Sequence, residues 1–293
     1  MYILAGSNYT VNAEAINTSY DVNMKRDLLI LMIAYPEYAT NVEKDSSGRV
    51  YLILRSGKKI LYDDKKTKNF EQKLNSPDLQ DMLEQMYPLE PINDIMAKDF
   101  DPGRVRVYSL LNEVYGSSRQ QIEKNLTNVS NIGCRFNKNN KAAESLKNVM
   151  SELLPLARQN SKVSSCIYPL SGTYNHRVIA GTGRLSPHAF GNTIDLARDK
   201  RDYWKWASVE QGRKRIQSYP KEIVEVFEKY NFVWGGKWNH FDILHFEYRP
   251  EIIMKARYYG NDGAEFEKWY GNMPTEDINT KNAIEKIEAV LGQ

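Results

Sequence analysis

Two short segments of the chain hold histidines and aspartates at spacings that could bind a metal ion. The run "LSPHAFGNTIDLARDK" contains His188 and Asp195, and "GGKWNHFDILHFEY" contains Asp242 and His245. Two imidazoles and one carboxylate form a three-ligand set for Zn²⁺ that leaves a fourth position for water. A further carboxylate nearby can act as general base on that water, and Asp242 is the natural candidate for this role.

The positions of Asp242 and His245 constrain how the chain must fold around them. The run "DILHFEY" alternates apolar and polar residues, which predicts a β-strand. Residues three apart on a regular strand face opposite sides. Asp242 must therefore lie on the loop that enters the strand, or on a bulge, to reach the same site as His245. Between His188 and Asp195, Gly191 allows the chain to turn or to approach a neighbour closely.

The remaining pattern indicates an α+β fold, because helices and strands are mixed without a regular βαβ alternation. Helices are predicted over residues 22–35, 141–157, 220–232 and 280–292, with another that begins at Ser76 as its N-cap. Strands are predicted over 164–170 and in a hairpin over 49–62.

The expected architecture is a small antiparallel sheet flanked by helices, with an N-terminal α+β extension. Three prolines and one glycine in residues 88–104 indicate a connector. We therefore predict an N-terminal helical and hairpin region over 1–100, a catalytic domain over 101–260 and a C-terminal helical tail over 261–293.

The composition disfavours several classes of protein. The chain has 40 Lys and Arg against 37 Asp and Glu, without the basic excess that is typical of nucleic-acid-binding proteins. The longest apolar run, residues 28–35, is much shorter than the roughly 18 residues of a transmembrane helix. No signal peptide is recognisable in "MYILAGSNYT", which predicts either a cytoplasmic protein or one whose leader has been removed.

The chain has two cysteines, Cys134 and Cys166, and neither belongs to a CxxC pair. This arrangement excludes a four-thiolate zinc site. In an exported protein the two could form a disulfide worth about 3–4 kcal/mol in the chain-entropy model. Two buried free thiols are the alternative, and the sequence leaves both open.

The two histidine segments resemble the motifs of the D-alanyl-D-alanine carboxypeptidase family of zinc peptidases, the VanY and VanX type with the Hedgehog/DD-peptidase-like fold. "SPHAFGNTIDL" is similar to the family motif S-x-H-x-x-G-x-A-x-D, with Thr193 in place of the small Ala. "DILHFEY" is similar to the second motif, in which an acidic residue precedes His by three positions. "SGTYNHRVIAGTGRLSPH" resembles the arginine-bearing segment ahead of the first motif.

This resemblance implies a role for each residue of the metal site. His188, Asp195 and His245 would bind Zn²⁺. Asp242 would be the catalytic base that activates water and later protonates the leaving amine. Several relatives have Glu at this position, so the carboxylate of Asp242 has a reach shorter by one methylene.

The resemblance also implies residues that bind substrate. Arg177 would bind a carboxylate or stabilise the oxyanion of the tetrahedral intermediate. It lies farther from the preceding "SG" than in the shortest form of the family, which leaves Arg184 as a rival. Ser186 would hydrogen-bond the peptide near the metal, and Trp238 is predicted to pack in or wall the cleft.

The resemblance implies a zinc-dependent peptidase that cleaves peptidoglycan stem peptides, with a D-Ala-D-Ala carboxypeptidase as the leading hypothesis. Its partners would be peptidoglycan peptides, and its location extracytoplasmic, in the periplasm, in the cell wall or secreted. Two alternatives stay open: a peptidoglycan endopeptidase of the same family, and a non-catalytic, zinc-stabilised cell-wall-binding module. A serine hydrolase built on Ser186, His188 and Asp195 is disfavoured, because no G-x-S-x-G motif is present.

Two further residues near the second motif have alternative interpretations. His240 is predicted to be a packed loop histidine, with a position lining the cleft as the alternative. Glu247 shares a strand face with His245. It would either orient that ligand or be an ordinary carboxylate on the sheet surface.

Overall fold

The computed structural model describes residues 20–260 and 267–292, which form the predicted α+β fold with small antiparallel sheets flanked by helices. The N-terminal part contains α1 (Tyr20–Ala34), β1 (Ala39–Lys44), β2 (Val50–Leu54), β3 (Lys59–Leu61), α2 (Phe70–Asn75) and α3 (Leu79–Leu83). The predicted helix over 22–35 and hairpin over 49–62 are thereby confirmed.

The central part is mainly helical. It contains α4 (Tyr108–Tyr115), α5 (Arg119–Asn125), β4 (Leu126–Val129), β5 (Cys134–Asn137), α6 (Ala142–Gln159) and α7 (Ser161–Ile167). Helix α6 confirms the prediction over 141–157, because its buried residues recur at helical spacing. Cys134 and Cys166 are both free thiols, so the disulfide is not formed.

The C-terminal part holds the sheet that positions both histidine motifs. It contains β6 (Thr193–Asp195), α8 (Val209–Ser218), α9 (Lys221–Lys229), β7 (Phe232–Trp234), β8 (His245–Tyr248), α10 (Pro250–Tyr259) and α11 (Ile278–Leu291). Strand β8 lies between β6 and β7 and is antiparallel to both. The predicted strand in "DILHFEY" and the helices beginning near residues 220 and 280 are confirmed.

One predicted strand is wrong, and one predicted helix, α3 (Leu79–Leu83), is present but begins later than predicted. Residues 161–167 form α7 rather than part of a strand over 164–170, because the Asn160 side chain accepts hydrogen bonds from Lys162 N and Val163 N and so caps a helix. Ser76 ends α2 instead of beginning the next helix. Asp78 is the N-cap of α3 and forms a reciprocal capping box with Asp81.

The core of the C-terminal part lies between the β6–β8–β7 sheet and α9. Phe227 of α9 stacks on Phe246 of β8 with ring centroids 3.9 Å apart, and it meets Phe232 of β7 edge to face at 5.3 Å. Phe227, Phe232 and Phe246 are fully buried. Because β8 is the central strand and its apolar side chains are anchored in this way, His245 at its start has a fixed position.

The N-terminal part packs against the C-terminal helices. Helix α1 contacts α10 and α11, and Tyr35 donates a buried hydrogen bond of 2.7 Å to Glu251. The division of the chain at residues 100 and 260 stays a prediction. Within the described ranges, no helix has both the length and the apolar character needed to cross a bilayer.

Residues 88–104, the predicted connector, form no helix or strand. Hydrogen bonds join them to the segment that precedes β8. The Nζ of Lys237 donates to the carbonyl oxygens of Pro88 and Leu89 at 2.7 and 3.2 Å. Asn239 N donates to Phe100 O at 2.8 Å. These contacts hold the connector beside the second histidine motif.

Candidate metal centre

Strand pairing brings the two histidine motifs together. Asp195 ends β6 and His245 begins β8, and the antiparallel register places them directly opposite each other. His188 lies in a single 3₁₀ turn, Pro187–Phe190, which Gly191 ends in the left-handed region at φ 69°. A Cβ at Gly191 would lie 2.5 Å from Leu126 Cδ2. The glycine therefore permits both the turn and the close approach that the sequence suggested.

The side chains of His188, Asp195 and His245 converge as the sequence predicts. One donor atom from each lies within 4.8 Å of the other two. His188 Nε2 is 3.2 Å from Asp195 Oδ2, and His245 Nδ1 is 3.0 Å from Asp195 Oδ1. His188 Nδ1 donates to Thr173 O at 2.6 Å. Because a carbonyl only accepts, this bond places a proton on Nδ1 and makes Nε2 the ring nitrogen that faces Asp195.

The pKa values reflect how closely these groups are packed. Burial alone would raise the pKa of Asp195, but hydrogen bonds from His188 and His245 hold it well below its usual range. Burial would lower the pKa of His245, but the hydrogen bond with Asp195 raises it to about 10. Burial raises the pKa of Asp242 to about 7, although the neighbouring imidazoles oppose the shift.

The donor set suits a transition-metal ion. Two imidazole nitrogens and one carboxylate oxygen are the ligands found in open zinc sites, where a fourth position takes water or substrate. Metal-binding histidines usually donate their second ring nitrogen to a carbonyl or carboxylate. His188 does so to Thr173. The described residues thus provide both the ligands and the support that such an ion requires.

Glu247 lies beside the other histidine and is fully buried, so its interpretation as a sheet-surface carboxylate is wrong. His245 Nε2 is buried without a hydrogen-bond partner, and Glu247 Oε2 lies 3.9 Å from it. Arg106 Nε donates to both carboxylate oxygens of Glu247, at 2.9 and 3.1 Å, and a second nitrogen of Arg106 contacts the same group. Burial would raise the pKa of Glu247, but Arg106 holds it well below its usual range.

Asp242 lies where the strand geometry requires it. It precedes β8 by a two-residue turn, outside the regular strand, and its backbone N donates to Gly235 O at 2.9 Å. An isolated antiparallel β-bridge pairs the backbone of Asp242 with that of Tyr203. Asp242 and His245 therefore line one cavity although they are three residues apart.

This cavity encloses about 170 Å³. Among the predicted substrate-binding residues, Arg177, Ser186 and Trp238 line it and Arg184 does not. Arg177 is exposed and Ser186 is buried. Trp238 is 3% exposed, its ring centroid lies 5.5 Å from that of His245, and its Nε1 donates to Pro102 O. Trp238 is thus a wall of the cavity.

Sequence reasoning missed several residues that line the same cavity: Arg104, Arg106, Tyr203 and Trp204. Arg104 is the last residue of the connector, and Arg106 follows it by two positions. Both lie about 140 positions before the second motif. No spacing rule links such distant positions. Both interpretations of His240 are confirmed: it is a packed loop histidine, whose ring stacks on Phe70 at 5.4 Å and meets Trp204 edge to face at 4.6 Å, and it also lines the cavity.

Comparison with known proteins agrees with the placement of the two histidine motifs in one site. Residues 180–248 match the family described as D-alanyl-D-alanine carboxypeptidase. The matched segment contains His188, Asp195, Asp242 and His245, whereas Arg177 lies just before it. Searches of curated proteins and of solved structures found no match. The resemblance of the two motifs to the D-alanyl-D-alanine carboxypeptidase family is therefore confirmed over residues 180–248, the segment that holds the candidate metal centre.

Proposed function

We propose that the protein is a zinc-dependent peptidase that removes the terminal D-Ala from peptidoglycan stem peptides. The observation that carries this proposal is the convergence of His188, Asp195 and His245 on a cavity that also contains Asp242 and Arg177. The family match over 180–248 supports the same reaction class. An extracytoplasmic location follows from this substrate and is part of the proposal.

His188 Nε2, Asp195 and His245 Nδ1 would hold the zinc ion. When bound, zinc supplies a Lewis acid that polarises a carbonyl and makes water a better nucleophile at neutral pH. Asp242 would take a proton from the attacking water and give it to the leaving amine. Its carboxylate lines the same cavity as the three proposed ligands, which is the placement that this role requires.

Arg177 would bind the free carboxylate of the terminal D-Ala. Its guanidinium is exposed at the cavity, and a planar, always charged group suits a carboxylate. A carboxypeptidase needs such a group, whereas an endopeptidase acting inside the stem does not. Arg177 therefore favours the carboxypeptidase over the endopeptidase.

Arg177→Gln is expected to lower kcat/KM on stem pentapeptides by roughly 10- to 100-fold, because it removes one charge-assisted hydrogen-bonding partner of the substrate. The loss should appear mainly in KM. Release of D-Ala from purified pentapeptide, followed by chromatography, gives the measurement. A substrate with an amidated C-terminus should be poor for the wild type and nearly insensitive to the substitution.

Arg184→Gln is the matched control, since Arg184 is nearby in sequence but does not line the cavity. A loss in Arg184→Gln with none in Arg177→Gln would refute the assignment of Arg177. Cleavage between inner residues of the stem, with the terminal D-Ala left in place, would establish the endopeptidase instead. Binding to cell walls without any cleavage would establish the binding module.

A further inference from the structure

A buried carboxylate in the connector organises one wall of the cavity. Asp101 is 1% exposed. Its Oδ1 accepts a hydrogen bond of 2.9 Å from His240 N, and its Oδ2 lies 2.6 Å from His240 Nδ1. Arg104 Nη1 donates to the same Oδ2 at 3.2 Å. Asp101 therefore fixes two cavity-lining side chains at once.

The Arg104 guanidinium has unused hydrogen-bonding capacity. Arginine carries five N–H donors, and Asp101 is the one hydrogen-bond acceptor found for this side chain among the described residues. That carboxylate is shared with His240. The Arg104 side chain is 24% exposed, and the residue lines the cavity. Its other donors are therefore accessible to a ligand in the cavity.

Arg106 lines the same cavity but is already paired. Its guanidinium binds Glu247 through two nitrogens and donates through a third to Arg104 O at 2.7 Å. Only 7% of its side chain is exposed. Of these two cavity-lining arginines, Arg104 and not Arg106 has donors left for a ligand.

Arg104 and Arg177 both line the cavity and supply positive charge to it. Tyr203 lies close enough to these charged side chains for each of them to change the pKa of its hydroxyl. Burial and the Asp242 carboxylate raise this pKa, whereas Arg104 and Arg177 lower it. Arg104 is also partly desolvated, since only 24% of its side chain is exposed, and this burial lowers its pKa. A partly desolvated cation attracts an anion more strongly than one in bulk water. The cavity therefore suits a ligand with two negative groups.

We propose that Arg104 binds a second carboxylate of the substrate, so that the enzyme prefers stem peptides with free side carboxylates over amidated ones. This inference rests on the proposed function. The first carboxylate is the C-terminal one assigned to Arg177. The second would belong to an acidic residue of the stem, such as the γ-linked D-Glu or the diamino diacid that precedes the D-Ala pair.

The test compares pentapeptides in which one side carboxylate is free or amidated. Wild-type protein should cleave the free form about tenfold better in kcat/KM, which is the scale of one charge-assisted hydrogen bond. Arg104→Gln should erase this preference, mainly through KM, while keeping the preference for a free C-terminus. Arg177→Gln should do the reverse. Arg104→Lys should restore part of the preference.

The control is Lys98→Gln, which removes an exposed cation from the same connector, with thermal unfolding recorded for every variant. An equal rate on free and amidated peptides by the wild type would overturn the inference while leaving the peptidase assignment intact. Loss of the C-terminal preference in Arg104→Gln would also overturn it, because Arg104 would then be the terminal-carboxylate residue. No cleavage of any peptide by zinc-loaded wild-type protein would refute the proposed function itself.

Discussion

Asp242→Asn is expected to lower kcat on D-Ala-D-Ala peptides by roughly a thousandfold, within the usual range for loss of a general acid–base group. The amide is nearly isosteric with the carboxylate but cannot accept a proton. Asp242 is not among the three converging ligand residues, so zinc content and folding should stay unchanged. Steady-state release of D-Ala, with zinc stoichiometry measured on the same sample, is the measurement.

Two further variants make this result specific. Asp242→Glu keeps a carboxylate with one more methylene, and it should recover part of the lost rate. Asp94→Asn removes a carboxylate that pairs with Arg213 on the surface, outside the cavity, and it should leave the rate unchanged. Full hydrolysis by Asp242→Asn would contradict the assignment of the base.

Arg106→Met is expected to lower the free energy of unfolding by about 3–5 kcal/mol, because it leaves the Glu247 carboxylate buried without its main partner. Glu247 is fully buried, and Arg106 is 7% exposed. Zinc affinity should also fall, by roughly 10- to 100-fold, since Glu247 lies beside the outer nitrogen of His245. Urea unfolding and competition with a chelator measure the two effects.

The matched control is Arg49→Met, which breaks the exposed pair between Arg49 and Asp45. Such surface pairs contribute about 0–1 kcal/mol, so this variant should be nearly neutral. Adding Glu247→Gln to Arg106→Met should recover part of the stability, because the uncompensated charge is then removed. A change below about 1 kcal/mol in the single variant would mean that the pair is not needed to hold β8.

Local patterns in the sequence predicted the groups of the candidate metal centre well. The strand alternation in "DILHFEY" places His245 and Glu247 on one face and requires Asp242 to lie outside the strand, and the structure has both features. These relations depend on spacings of two and three residues. The sequence could not show that Asp195 and His245 are direct partners, which depends on the register of β6 against β8.

Contacts between distant parts of the chain were beyond sequence reasoning. Asp101 and His240 are 139 positions apart, and Arg106 and Glu247 are 141 apart. A charged residue in or just after a proline-containing connector looks solvated, and nothing local indicates that Asp101 and Arg106 are buried. The strand predicted over 164–170 failed for another reason: Asn160, which lies outside the apolar run, caps a helix over the residues that follow it.

Metal analysis of the purified wild-type protein beside His188→Ala tests the central claim most directly. The three-ligand site predicts about one zinc ion per chain after reconstitution, and at least a hundredfold weaker binding in the variant, which loses one of three ligands. His176→Ala is the control, because His176 lies outside the cavity. Equal zinc binding by wild type and His188→Ala, or none by either after zinc is added, would contradict the account.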